Sequence, residues 1–151
     1  MALDALLAAL HHICVFGLFV ILTVEMVLVR PGISAEAVMR VVRIDLFYGI
    51  LAGLALVAGG LRVFYGAKGA AFYTGNPVFW TKLGLFVLIG LLSLPPTLNY
   101  IRWRKALRGS PTALPSASAI QSTRKLIHIQ FGLLFLLPIL AAIMARGIGL
   151  G

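Results

Sequence analysis

The sequence predicts an all-α membrane protein, a bundle of four transmembrane helices, and three observations predict it. Of the 151 residues, 61% are hydrophobic and only 11% charged, and the mean hydropathy is +1.04, well outside the range of soluble domains. Four apolar runs reach about 20 residues each, the length that a bilayer core requires. The Lys and Arg residues gather at the ends of these runs and between them, where loop charge sets orientation and not affinity for nucleic acid. The whole chain, 1–151, therefore reads as a single integral membrane domain.

The first span runs roughly over 5–29, "ALLAALHHICVFGLFVILTVEMVLV". Its start has no positive n-region and its apolar run exceeds a signal-peptide core, so it reads as a retained helix. The second span covers roughly 45–65. It follows "ISAEAVMRVVRI", whose Glu36, Arg40 and Arg43 recur at helical spacing, as expected of a stretch lying at the membrane interface. Asn76 and Pro77 mark the start of the third span, 78–100, as a side-chain cap followed by proline at the first helical position. Pro95 and Pro96 predict a kink or a broken last turn there. Residues 101–125 read as a loop, with the small, polar "RGSPTALPSASAIQST" inside it, and 127–149 completes the set.

Nine of the 13 Lys and Arg flank the first and third connections (Arg30, Arg40, Arg43, Arg102, Arg104, Lys105, Arg108, Arg124, Lys125), against Arg62, Lys68, Lys82 and Arg146 at the other end. The positive-inside rule then puts the 101–125 loop in the cytoplasm and both termini outside, in the periplasm of a bacterial cell.

With that orientation each ionisable residue acquires a depth. His11, Arg62 and Lys82, on three different helices, all fall about 10 Å outward of the midplane. Glu25, Asp45 and His128 fall roughly 12 to 15 Å to the cytoplasmic side and form an inner polar layer. His11 and His128 therefore cannot be the two axial ligands of one haem iron.

Helical phase separates the adjacent histidines. His11 shares a stripe with Cys14, Leu18, Leu22 and Glu25, whereas His12 shares its side with Phe16, Phe19 and Thr23. Intramembrane carboxylates face bundle interiors, so the His11 stripe is expected to point inward. Glu25 is expected to pair with Arg43 or His128, or else to relay protons. Gly49 and Gly53 form a small-xxx-small seam expected to pack a helix closely, which with the limited interior of one copy suggests a homo-oligomer. Imidazole makes His11 or His12 a candidate ligand for haem or a metal, His11 with Cys14 one turn on a candidate copper or zinc pair, and Arg62 with Lys82 a clamp for anionic substituents. The lone Cys14 excludes an intramolecular disulfide.

The run "RIDLFYGILAGLALVAGGLRVFYGAKGAAFYTGNPVFWTKLGLFVLIGLLSLPPT", with "HH" before it and "RWRK" after it, resembles the bacterial family of membrane proteins called domain of unknown function 2214 over nearly the whole chain. More distantly, the plan is similar to membrane-embedded protoporphyrinogen oxidase and copper-resistance D-like proteins, which carry a histidine in the first helix and a tryptophan shortly before a lysine in the third. The counterparts are His11 or His12, Trp80 and Lys82, with a shorter tryptophan-to-lysine spacing. The oxidase resemblance implies haem b and electron removal from a porphyrinogen, in the bacterial inner membrane. The sequence thus leaves three functional readings and does not decide whether the protein is an enzyme. These are haem or porphyrin binding in the outer half with a redox role, a carrier or permease for a metal ion or small anion, and an accessory structural subunit.

Overall fold

The structure, a computed structural model, describes residues 2–148, and in it the apolar runs are carried by helices. The elements in chain order are α1 (Ala2–Leu28), α2 (Ala35–Tyr65), a short α3 (Gly69–Thr74), α4 (Pro77–Gly109), α5 (Ala117–Leu134) and α6 (Leu136–Ala145). Four stretches are long and apolar enough to cross a bilayer: α1, α2, α4, and α5 with α6 taken together. The chain is a four-helix membrane bundle. α1 packs along α2, and α4 packs against α5, α2 and α6. Both ends of the described chain and α3 lie at one end of the bundle, here the terminal end. The 29–34 and 110–116 connections lie at the other, the loop end.

Three boundaries differ from the sequence reading, each for a local reason. α2 begins at Ala35, so "ISAEAVMRVVRI" is mostly the first turns of α2 and not a separate interfacial segment. Ser34 caps it, accepting from the Ala37 N–H at 3.2 Å, and nothing in the following residues stops a helix once started. α4 likewise continues to Gly109, where Gly-Ser-Pro ends it. The expected loop 101–125 shrinks to 110–116, and Arg102, Arg104, Lys105 and Arg108 ride on helix. Pro95 and Pro96 stand inside α4 without ending it.

The fourth span starts at Ala117, ten residues earlier than expected, with Ser116 accepting from the Ala119 N–H at 3.3 Å. It is interrupted at Phe135, because Pro138 has no N–H for the Leu134 carbonyl four residues back. Its expected end at 149 lies outside the described residues, and the helix stops at Ala145. The Asn76-Pro77 start is as the sequence predicts: Asn76 accepts from the Val78 N–H at 2.8 Å.

The main core runs the length of the bundle and is densest toward the loop end. Leu18, Leu22, Ile89, Leu134 and Leu137 fill its middle, while Val29, Ile33, Val38, Val41, Trp103 and Ile120 close the loop end. A smaller cluster of Val63, Tyr73 and Met144 sits at the terminal end. Gly49 and Gly53 do not pack the interior. Both lie on the outer face of α2, and a Cβ on either would meet nothing within 4 Å. Gly66 is where closeness is needed, since a Cβ there would run into the Arg62 carbonyl and come within 3.0 Å of Asp4 Oδ1. Gly66→Ala should therefore cost about 1–3 kcal/mol of stability, read as a lower midpoint of thermal unfolding in detergent. Gly49→Ala should leave the midpoint unchanged or raise it.

Candidate functional site

Polar side chains inside the bundle fall into two groups, one at each end. Toward the loop end, α1, α2, α4 and α5 each contribute to a buried layer. Glu25, only 2% exposed, occupies the inward stripe of α1 with Cys14, Leu18 and Leu22, as the helical phase predicts. Its Oε2 accepts a hydrogen bond of 3.1 Å from the Tyr100 hydroxyl of α4. Its Oε1 is buried and has no hydrogen-bond partner among the described residues. The expected pairing of Glu25 with Arg43 or His128 does not occur. Arg43 is exposed on α2, and His128 is exposed on α5, its Nδ1 donating to the Arg124 carbonyl of its own helix at 2.7 Å. His128 is thus not part of the inner layer, because the buried face of α5 is instead that of Ile120, Thr123, Ile127, Gln130 and Leu134.

Asp45 does join the layer, its Oδ1 accepting from the Thr97 hydroxyl at 2.9 Å. Around the two carboxylates stand further polar groups, of which Gln130 and Asn99 were not singled out in the sequence. Gln130, 1% exposed, donates to the Leu92 carbonyl at 3.2 Å and faces the Tyr48 hydroxyl at 3.5 Å. Asn99 donates to the Thr123 hydroxyl at 2.9 Å. Arg124 reaches across from α5 to donate to the Met26 and Val29 carbonyls at the end of α1, which have no partners within their own helix. The available signal was phase: Tyr48, Tyr100 and Gln130 lie on the same helical faces as Ala55, Trp103 and Ile127.

The layer is closed on both sides. Leu18, Leu22 and Ile89 lie toward the terminal end, and Val29, Val38, Val41 and Trp103 toward the loop end. It is a buried, oxygen-rich layer in which Glu25 Oε1 has no protein partner among the described residues. In such surroundings an unmatched oxygen of that kind calls for a proton, a water or a cation.

The terminal end carries His11 on α1, Arg62 on α2 and Lys82 on α4. His11 Nδ1 donates to the Ala55 carbonyl of α2 at 2.8 Å, and the ring lies where a Cβ on Gly59 would touch it at 3.2 Å. This fixes its tautomer and leaves Nε2 the acceptor. His12 is exposed and turned away, its Nδ1 bonded to the Ala8 carbonyl of the same helix at 2.6 Å. Arg62 faces Asp4, a residue the sequence reading did not single out, with Nε 3.9 Å from Oδ1. Cys14 is buried, and no group of three or more His, Cys, Asp or Glu side chains converges among the described residues. A groove of about 500 Å³ is apolar, opens to the side and is lined by residues including Phe16, Phe19, Phe131 and Phe135. It lies on the His12 side of α1, away from the face that His11 presents to α2.

Fold and site together define a class, a small multi-pass membrane protein whose bundle encloses a carboxylate layer at one end and a basic cluster at the other. Within that class the chain belongs to the family described as predicted membrane protein (DUF2214), whose model matches residues 3–149. No curated protein and no solved structure matches it.

If the Tyr100 hydroxyl is the group that makes Glu25 tolerable in the core, Tyr100→Phe should destabilise the bundle by about 1–3 kcal/mol. Glu25→Leu with Tyr100→Phe together should cost less than Tyr100→Phe alone, because no polar atom is then stranded. Unfolding titrations in mixed detergent micelles measure both, and a double variant that is the worse of the two refutes the assignment.

Proposed function

We propose that the protein is a non-enzymatic carrier that moves a small cation across the membrane, with Glu25 as its inner binding station and Asp45 beside it. One observation carries the reading: Glu25 Oε1, buried among four helices, lacks a protein donor among the described residues. A purely structural carboxylate in hydrocarbon would be expected to satisfy both oxygens, whereas a transport site keeps one free for its cargo. The oxygens of Tyr100, Tyr48 and Thr97 around it suit a hard cation or a proton, not a soft metal. By the positive-inside rule the loop end faces the cytoplasm of a bacterial inner membrane and both termini face outward. Alkaline phosphatase fused after the last residue should then be active.

The protein reconstituted in vesicles that enclose an indicator dye for the ion tested should dissipate an imposed gradient of protons, sodium, potassium or calcium faster than protein-free vesicles. Glu25→Gln should reduce that flux to the protein-free rate while the protein remains folded. Wild-type flux from Glu25→Gln, or no flux of any of the four cations, overturns the reading and leaves an accessory structural subunit.

A second reading, haem bound at His11, draws on one specific feature. The Nδ1 hydrogen bond to Ala55 is the support that iron-ligating histidines usually have, and it directs Nε2 away from α2. One chain does not enclose a porphyrin there, since Gly59 closes the α2 side, so the macrocycle would lie on the lipid-facing side of the ring. Haem added to the purified protein should give a Soret band that His11→Ala abolishes. Its absence removes this reading.

A further inference from the structure

The basic cluster at the terminal end is short of counter-charge, and its depth indicates what supplies it. Arg62 stands in the last turn of α2. Its Nε is buried and has no hydrogen-bond partner among the described residues. Its nearest carboxylate oxygen, on Asp4, is 3.9 Å away, beyond hydrogen-bonding distance. Lys82, half-buried on α4, adds a second cation at the same end of the bundle, on a helix that packs against α2. Asp4 is the one acidic residue at this end of the bundle, against Arg62, Lys68, Lys82 and Arg146.

Aromatic side chains mark the level. Trp80 is 54% exposed and Tyr65 67% exposed, and the Trp80 indole N–H donates to the Thr74 carbonyl at 3.0 Å. Exposed Trp and Tyr at helix ends belong to the interfacial belt, where lipid headgroups lie. Two under-paired cations at that level, flanked by an aromatic belt, suit a phosphodiester, because guanidinium and ammonium groups are the usual ligands of phosphate oxygens.

We propose that Arg62 and Lys82 form a binding site for the phosphate of an anionic phospholipid, in which Asp4 is an internal counter-charge that the lipid displaces. The site is independent of the carboxylate layer and of any transport through it.

The test uses the full chain purified in mild detergent, with lipid retained on the protein counted by native mass spectrometry and thermal unfolding followed in parallel. Phosphatidylglycerol should be retained in preference to phosphatidylcholine and should raise the unfolding midpoint. Arg62→Gln or Lys82→Gln should each weaken retention about fivefold, whereas Lys105→Gln at the loop end should not. Asp4→Asn should strengthen retention, the opposite of what a structural Asp4–Arg62 ion pair predicts. Should Arg62→Gln not fold, Lys82→Gln and Asp4→Asn still decide. Equal retention of the two lipids, undiminished phosphatidylglycerol in Lys82→Gln, weaker retention in Asp4→Asn, or a full shift from inorganic phosphate alone each overturns the proposal.

Discussion

The hydrogen bond from Tyr100 to Glu25 is the contact around which the loop end of the bundle is arranged. It joins α1 to α4 across the interior, and it places a carboxylate where hydrocarbon would otherwise make one costly. Once those two helices are joined there, α2 and α5 must present side chains that tolerate a polar neighbour. They do so with Asp45 and Tyr48 on one and Thr123 and Gln130 on the other. Each of these hydrogen bonds crosses from one helix to another, so the layer also fixes helix register, which apolar packing alone specifies weakly.

Length is the second consequence of the same arrangement. α2, α4 and α5 continue past the apolar runs by two turns or more, and the extra turns supply the Val38, Val41, Trp103 and Ile120 side chains that close the layer from the loop side. A helix ending where its hydropathy ends would leave Glu25 open to water. The Arg124 hydrogen bonds to the last carbonyls of α1 belong to the same closure. They hold the shortest helix at this end against a neighbour that runs on.

Legibility in the sequence followed the strength of each physical signal. The four spans, the inward stripe of α1 and the Asn76-Pro77 start rest on length, phase and capping, all local properties, and all were readable. Helix ends at 35, 109 and 117 were not, because hydropathy reports where lipid ends, whereas a helix ends where caps and breakers stand, at Ser34, Gly109 and Ser116. The pairing of Glu25 was misread because charge complementarity points to Arg43 or His128, while the tertiary fold turns both outward and offers a tyrosine. Gly49 and Gly53 show the same limit: a small-residue seam says that something can approach closely, but not that this chain supplies it. That His11, Arg62 and Lys82 belong to one end of the bundle could be read, since rise per residue is fixed. Asp4 was missed because an acidic residue in a first helical turn is ordinary.

The distribution of the four acidic residues gives the bundle its electrical character. Glu25 and Asp45 are enclosed with hydroxyl partners, Glu36 forms an exposed ion pair with Arg40 one turn away, and Asp4 stands at a distance from Arg62. None of the four neutralises more than one cation, and the net charge of +9 is the excess that the acidic side chains leave unmatched. In a bilayer that charge sits at the two interfaces, where headgroup phosphates are the nearest anions. At the loop end most of the cations are exposed on helical extensions, so water and mobile ions can serve them. At the terminal end Arg62 and Lys82 are half-buried and hydration is restricted. A cation in that position is stable only beside an anion that stays, and a lipid held between helices can stay where a dissolved ion exchanges.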